Sequence, residues 1–244
     1  MHALATTLLV LVRPRRAFER LRDGQKWVWL AALLLLLATT LVHVSFSIPH
    51  IIELQDEVLR EQGISFGAEV DTDDPDAAPV LPPGMEENMK TIAVISSYVF
   101  GPIALVIGAL LLAALFMIVA RAWGGEGTFP LAFGMLLLAQ MPDAVRALVQ
   151  SAYTALTGDW VVHQGLSALI AENVSMAAPT PAYALLSMID IFFIWYLVLL
   201  FLGLVVVLKI PRNRALIVVG VYLLLAVALT VIPTALTAAF MPGS

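Results

Sequence analysis

The amino-acid sequence predicts an all-α protein, a polytopic membrane helix bundle with five transmembrane helices. Of its 244 residues, 61% are hydrophobic and only 13% are charged, whereas a soluble domain carries about a quarter charged residues. Five apolar stretches also reach the roughly 20 residues that a helix needs to cross a bilayer. Lipid offers backbone polar groups no partner, so each stretch is expected to be helical. The predicted spans are Trp27–Ile48, Ile92–Ala120, Phe129–Leu156, Tyr183–Leu208 and Arg214–Phe240.

Residues 1–26 precede the first span and are predicted to form an amphipathic segment on the cytoplasmic surface of the membrane. Its apolar side is expected to face lipid and consists of Leu8, Leu11, Phe18 and Leu21. Its basic side is expected to bind anionic lipid headgroups and consists of Arg13, Arg15, Arg16, Arg20 and Arg22.

Basic residues are divided unevenly between the two ends of the predicted spans. Ten Lys and Arg lie in the N-terminal segment and in the second and fourth connectors, against Arg60 and Lys90 in the others. Cytoplasmic loops of membrane proteins carry the excess of Lys and Arg. The N-terminus is therefore predicted to be cytoplasmic and, with five spans, the C-terminus external. The ten are Arg13, Arg15, Arg16, Arg20, Arg22, Lys26, Arg121, Lys209, Arg212 and Arg214.

The first external connector, residues 49–90, is long and acidic, with eleven Asp and Glu. Its first part, Pro49–Gln62, is predicted to be a helix that starts at the proline. Its second part, Phe66–Glu87, is rich in Asp, Pro, Gly and Ala and is predicted to be mobile. Two interpretations of this connector remain: a solvated loop, or a docking surface for a basic partner or a cation. In the second external connector, Trp160–Ile170 is predicted to form a re-entrant or interfacial helix.

A Gly-rich connector, Arg121–Phe129, joins the second and third spans. Gly124, Gly125 and Gly127 favour a tight turn because glycine tolerates backbone angles that other residues avoid. The connector does not resemble a phosphate loop, since no Lys-Ser/Thr pair follows it and no strand is predicted before it. Farther along, Pro142 is expected to kink the third span by freeing a backbone carbonyl one turn earlier.

Three charged residues, Asp143, Arg146 and Asp190, lie inside predicted spans. Such residues are functional candidates because lipid penalises an unpaired charge. Asp143 is about 21 Å from the start of its span at about 1.5 Å per residue, and Asp190 is about 10 Å deep on another helix. In a core of about 30 Å both carboxylates reach a similar level, so Arg146 is expected to bridge them. The cluster is a structural tie between spans, part of a substrate or proton path, or the lining of a wet outer vestibule.

The histidines carry a weak metal signal. His43 and His50 are seven residues apart on one helical face, and His50 and Glu53 have ligand-like spacing. No further ligand is evident nearby, and the chain has no cysteine. An interfacial histidine is the competing interpretation. No Ser-His-Asp set, Walker loop or zincin helix is present, so no metal, cofactor or catalytic residue is predicted.

Three patterns occur in order along the chain: Arg13–Leu21 followed by Trp27, Gly124–Phe129 followed by Pro142, and Asp190–Leu200 followed by Gly203. Together they resemble bacterial Yip1-family proteins over nearly the whole chain except residues 49–90. The resemblance implies a five-helix domain in residues 27–244 with a cytoplasmic N-terminus. It supplies no catalytic residues.

The resemblance also implies a class of function. Eukaryotic members bind Rab GTPases in vesicle trafficking, a role that does not transfer to a bacterial-looking sequence, and some bacterial relatives accompany ABC-type export systems or envelope-stress functions. We therefore expect a non-enzymatic multi-pass protein of the cell inner (plasma) membrane that acts through partners in the bilayer. The expected partners are membrane lipids and a transporter-like membrane protein, with self-association left open and no nucleic acid.

Two other function classes remain open. The first is a small transporter or channel that uses Asp143, Arg146 and Asp190, although five spans without a detectable repeat argue against a secondary transporter. The second is an intramembrane enzyme, which would require His43, His50 and Glu53 to meet Asp190. A continuous polar cavity would favour transport, and a closed bundle with an exposed groove would favour a partner.

Overall fold

The computed structural model describes residues 2–25, 27–61, 65–66, 80–81, 84–171 and 180–240. These residues are almost entirely helical, so the predicted all-α membrane bundle is confirmed. Two two-residue strands, β1 (Ser65–Phe66) and β2 (Val80–Leu81), pair in parallel. The helices are α1 (His2–Val12), α2 (Pro14–Arg22), α3 (Val28–Glu61), α4 (Met85–Ala122), α5 (Phe129–Ala139), α6 (Met141–Thr157), α7 (Pro181–Met188), α8 (Ile191–Val206) and α9 (Arg212–Phe240).

Within the described ranges, four spans meet the length and hydropathy needed to cross a membrane: α3, α4, α5 with α6, and α9. The fifth predicted span is divided into α7 and α8, which are bent by 61°. The third is interrupted at Gln140, two residues before Pro142, which has no backbone N–H to donate. The five predicted spans are thus present when the bent pair is counted as one span. The orientation of the bundle in the membrane stays a prediction.

Helix α5 lies at the centre of the bundle. Eight consecutive residues, Ala132–Ala139, are buried, as expected for a helix that is apolar all round. It packs against α2, α3, α4 and α8. In the span from Phe129 to Thr157, 61% of the most apolar 18-residue stretch is buried inside the protein. The corresponding share is 22% in α4 and 11% in α9. Helices α4 and α9 are therefore peripheral, with broad apolar faces turned away from the protein.

The N-terminal helices are part of the core, which corrects the expectation that Phe18 and Leu21 face lipid. Phe18 is 0% exposed and Leu21 is 4% exposed. The reason lies in Gly134, which leaves room for α2: a Cβ placed on it would lie 3.1 Å from a Leu21 methyl group. A Cβ on Gly203 would instead lie 2.5 Å from Met135 of α5, and at the ordinary contact distance of 3.4 Å from the Phe18 ring. The remaining exposed apolar stripe is on α1 and consists of Leu4, Leu8 and Val12.

Helices α3 and α4 extend well beyond the membrane core. Helix α3 continues through Pro49 to Glu61, so the separate helix predicted to start at Pro49 is wrong. Its 34 residues and the 38 of α4 correspond to about 51 and 57 Å, against a hydrocarbon core of about 30 Å. Lys90 and Asp56 join their extended parts with an ion pair of 3.2 Å. Most of the segment predicted to be mobile lies outside the described residues.

The second external connector contains a short helix at its centre. In place of the predicted helix over Trp160–Ile170, a 3₁₀ helix spans Gly165–Leu169. It packs against α7, and the Leu166 amide donates to the Ile189 carbonyl oxygen at 3.2 Å. This contact places the 3₁₀ helix directly against the break between α7 and α8.

Candidate functional site

The three charged residues of the predicted spans, Asp143, Arg146 and Asp190, lie together, and we call them the Arg146 cluster. One guanidinium nitrogen, Nη2 of Arg146, lies 2.9 Å from Oδ1 of Asp190 and 3.5 Å from Oδ1 of Asp143. The side chains of Asp190 and Arg146 are 15% and 24% exposed, whereas that of Asp143 is 44% exposed. The stronger link is therefore the more buried one, between Arg146 and Asp190.

Asp190 also begins helix α8. Its backbone is extended, and its Oδ1 accepts a hydrogen bond of 2.6 Å from the Phe193 amide. Aspartate is favoured at this position because its carboxylate satisfies an amide that the first helical turn leaves free. The same oxygen therefore caps α8 and pairs with Arg146. The chain bends by 61° at this point, so the carboxylate joins a helix start to a neighbouring span.

Asp143 occupies the corresponding place on the other broken span. It lies in the first turn of α6, and its amide donates to the Gln140 carbonyl oxygen at 2.9 Å. Carboxylates near a helix N-terminus are stabilised by the positive end of the helix dipole. Arg146 follows three residues later, and residues spaced by three share one face of a helix. Two helix starts and one arginine thus compose the cluster, which carries a formal charge of −1.

Arg146 has one neighbour that the sequence did not predict. Its guanidinium carbon lies 5.6 Å from the centre of the Phe192 ring, a distance at which a cation is attracted to an aromatic face. The Nε atom of Arg146 is buried and has no hydrogen-bond partner among the described residues. An aspartate directly before the apolar run that starts at Ile191 was the available sequence signal for a helix start at α8.

The Gly-rich connector packs against the turn between α8 and α9. A Cβ on Gly125 would lie 2.6 Å from the Leu208 carbonyl oxygen, and one on Gly127 would lie 2.6 Å from a Leu208 methyl group. Gly124 has a φ of 74°, a backbone angle that favours glycine. The Glu126 amide donates to the Leu208 carbonyl oxygen at 2.8 Å. We call this contact between the two connectors the glycine corner.

Two charged contacts reinforce the glycine corner. The Glu126 carboxylate pairs with the Lys209 ammonium group, and the Arg214 guanidinium donates to the Trp123 carbonyl oxygen at 2.6 Å. The second and fourth connectors therefore meet at one end of the bundle. Because a groove between α2 and α8 is lined by residues of both the N-terminal segment and the fourth connector, the basic N-terminal segment lies at this end as well. We call it the basic end.

The five arginines predicted to bind headgroups are all exposed: Arg13, Arg15, Arg16, Arg20 and Arg22. Three of them also have partners within the protein. The Arg15 Nε lies 3.1 Å from the Glu19 carboxylate, Arg22 pairs with the Asp23 carboxylate at 3.0 Å, and the Arg20 guanidinium donates to the Thr6 hydroxyl at 3.2 Å. The bond from Arg20 joins α1 to α2. Headgroup binding by the five stays a prediction.

The weak metal candidates form a pair. Nδ1 of His50 lies 3.5 Å from the Glu53 carboxylate, and the His50 ring stacks on Trp160 with centroids 6.4 Å apart. His43 contacts Ser47 in the same helix. Within the part of the chain that the structure describes, no three His, Cys, Asp or Glu side chains converge as metal ligands. The visible role of His50 is to join α3 to the second external connector.

Comparison with known proteins identifies one family. The model of the Yip1 domain matches residues 8–232, which include α2 to α8, the C-terminal part of α1 and most of α9. No curated protein and no solved structure matches the chain significantly.

Proposed function

The chain belongs to the Yip1 family, and on that premise we propose that it is a non-enzymatic membrane protein that acts through membrane-protein partners. The role that fits best is an accessory of an ABC-type export system or of an envelope-stress system in the inner (plasma) membrane. A multi-pass membrane protein follows from the family and from the apolar helices. The accessory role and the choice of membrane are our proposal.

The groove between α4 and α9 is the observation that carries this proposal. It has a volume of about 700 Å³ and is lined almost entirely by apolar side chains, among them Leu111, Leu115, Phe116, Leu225 and Leu229. Gly108 opens one part of it, since no atom lies within 4 Å of where its Cβ would be. Small residues allow two membrane helices to approach closely. The groove therefore suits a transmembrane helix of a partner.

Photo-crosslinking tests the groove. A photoreactive amino acid at Leu111, which is 67% exposed, is expected to form one discrete adduct with another membrane protein in native membranes. The matched control is Leu34 on α3, 58% exposed and also apolar, which is not part of the groove. Adducts with lipid alone at Leu111, or the same protein adducts at both positions, would contradict a partner helix in the groove.

The link between Arg146 and Asp190 supports the non-transport interpretation, because it compensates one carboxylate and ties α6 to the start of α8. The alternative function, a small transporter or channel, is favoured by the partial exposure of Asp143 and by the unpartnered Nε of Arg146. Proton or ion flux into liposomes that contain the purified protein separates the two. Flux that is lost in Asp143→Asn would favour transport over an accessory role.

The orientation we propose places the basic end in the cytoplasm, in agreement with the excess of Lys and Arg there. Because the chain has no cysteine, single-cysteine variants report sidedness directly. Asp74→Cys, in the acidic connector, is expected to react with a membrane-impermeant maleimide on intact cells. Asn213→Cys, exposed at the start of α9, is expected to react only after permeabilisation. The reverse pattern would overturn the orientation.

A further inference from the structure

A groove at the basic end combines a charged rim with an apolar wall. It lies between α2 and α8 and has a volume of about 420 Å³. Its rim consists of Arg15, Glu19, Arg22, Lys209 and Arg212, and its wall consists of Phe201, Leu202, Val205 and Val206. We propose that this groove is a selective binding site for one anionic phospholipid, with the phosphate at the rim and an acyl chain along the wall.

The helical spacing of the lining residues explains how the groove forms. Arg15, Glu19 and Arg22 are four and three residues apart and therefore share one face of α2. On α8, the pairs Phe201 with Leu202 and Val205 with Val206 are one turn apart and also share a face. The two faces meet where α2 packs on α8. Helix α2 thus contributes charged residues of the rim and α8 contributes the apolar wall, so the site requires both helices.

The charge of the rim suits a phosphate. Four cations and one carboxylate line the groove, and three of the cations already have partners within the protein: Arg15 with Glu19, Arg22 with Asp23, and Lys209 with Glu126. Arg212 has no ion pair among the described residues. It also begins α9, where free amides and the helix dipole favour an anion. Arg212 is therefore the cation most available to a headgroup.

The position of the wall favours a phospholipid over a soluble phosphate compound. Phe201 to Val206 are the last residues of α8, the second part of a bent pair that counts as one span. Their four lining side chains are half-buried, so each keeps some apolar surface uncovered. A phosphate bound at Arg212 and Arg15 would place its acyl chains directly on this surface. Basic side chains at the level of the headgroups and apolar ones below them match the two chemistries of a lipid.

The test uses the full-length protein in a neutral detergent and counts bound lipid by native mass spectrometry. With phosphatidylglycerol, the wild-type protein is expected to retain one lipid at concentrations at which phosphatidylcholine does not bind. The double variant Arg15→Gln/Arg212→Gln should bind phosphatidylglycerol roughly tenfold or more weakly, since two headgroup contacts are lost. Val205→Trp, which fills the wall without changing charge, should weaken retention as well.

The matched controls change one arginine each: Arg212→Gln removes a rim cation, and Arg121→Gln removes an exposed arginine of the basic end that does not line the groove. Arg121→Gln should retain phosphatidylglycerol as the wild type does, whereas Arg212→Gln should bind it more weakly. Equal loss in these two variants would overturn the groove site in favour of diffuse attraction to the whole basic end. Two results would overturn the role of the apolar wall. One is retention of inorganic phosphate at the same concentrations as phosphatidylglycerol, and the other is unchanged binding of phosphatidylglycerol in Val205→Trp. All of these variants are at exposed or half-buried positions, so mass spectra of the folded protein remain interpretable.

This inference does not depend on the proposed partner role. The groove lies at α2 and α8, whereas the proposed partner groove lies between α4 and α9. A failed crosslink at Leu111 would leave the lipid site standing, and loss of selective lipid retention would leave the partner groove standing.

Discussion

Replacing Arg146 by methionine is expected to lower the free energy of unfolding by about 1–3 kcal/mol, between the cost of losing an exposed ion pair and that of breaking a buried one, because the pair with Asp190 is partly buried. Methionine keeps the length of the side chain and its apolar stem, so the change mainly removes the charge. The Asp190 carboxylate, 15% exposed, would lose its cation where α8 begins. The bend between α7 and α8 would then lose its tie to α6.

Thermal unfolding in detergent, followed by tryptophan fluorescence, measures this effect. Asp190→Ala should also be strongly destabilising, because it removes both the ion pair and the cap on the Phe193 amide. Asp190→Asn keeps an acceptor for that amide and should be milder by about 1 kcal/mol, the typical value of a helix cap. Asp143→Asn should cost under about 1 kcal/mol, since this carboxylate is 44% exposed and weakly coupled.

Unchanged unfolding temperatures in both Arg146→Met and Asp190→Ala would show that the cluster does not hold the spans together. A double variant, Arg146→Met/Asp190→Asn, gives a sharper test. If the cost of Arg146→Met comes from an isolated carboxylate, the double variant should be more stable than Arg146→Met alone. If the cost comes from lost packing on Phe192, the double variant should be no better.

The sequence predicted the contacts of the cluster better than the shape of the helices that carry it. A depth estimate at about 1.5 Å per residue was enough to place Asp143 and Asp190 at one level. Pro142 predicted a kink in the third span close to the break at Gln140. The break at Ile189–Asp190 was not predicted, because it lies inside an apolar run whose composition is that of a continuous span. Asp190 was interpreted only as a charge in lipid, although its position before an apolar run is also typical of a helix cap.

The burial of α2 shows a different limit. Its apolar and basic residues alternate as in a helix that lies on a membrane surface, and local periodicity cannot distinguish a lipid surface from a protein surface. What decides between them is Gly134, which belongs to α5 and opens the space that Leu21 fills. A long-range fit of this kind has no signal in α2 itself. The same is true of the groove between α2 and α8.

At the glycine corner, Gly125→Ala is expected to lower the free energy of unfolding by about 2–3 kcal/mol, in the range of overpacking in a tight core. The added methyl group would lie 2.6 Å from the Leu208 carbonyl oxygen and 3.0 Å from that of Ala120. Both neighbours are backbone atoms, which cannot turn away as a flexible side chain can. The two connectors would have to separate, and the Glu126 amide would then lose its 2.8 Å hydrogen bond to Leu208.

The neighbouring glycine supplies the control for this change. Gly124 has a φ of 74° and no atom within 4 Å of where its Cβ would be, so Gly124→Ala adds backbone strain of about 1 kcal/mol without a clash. In the same detergent, the free energy of unfolding should therefore be clearly lower for Gly125→Ala than for Gly124→Ala, and highest for the wild type. The reverse order would mean that backbone angles, and not the contact with the turn between α8 and α9, determine the shape of the Gly-rich connector. The predicted order would mean that this contact stabilises the basic end, since it holds the second and fourth connectors beside the rim of the lipid groove.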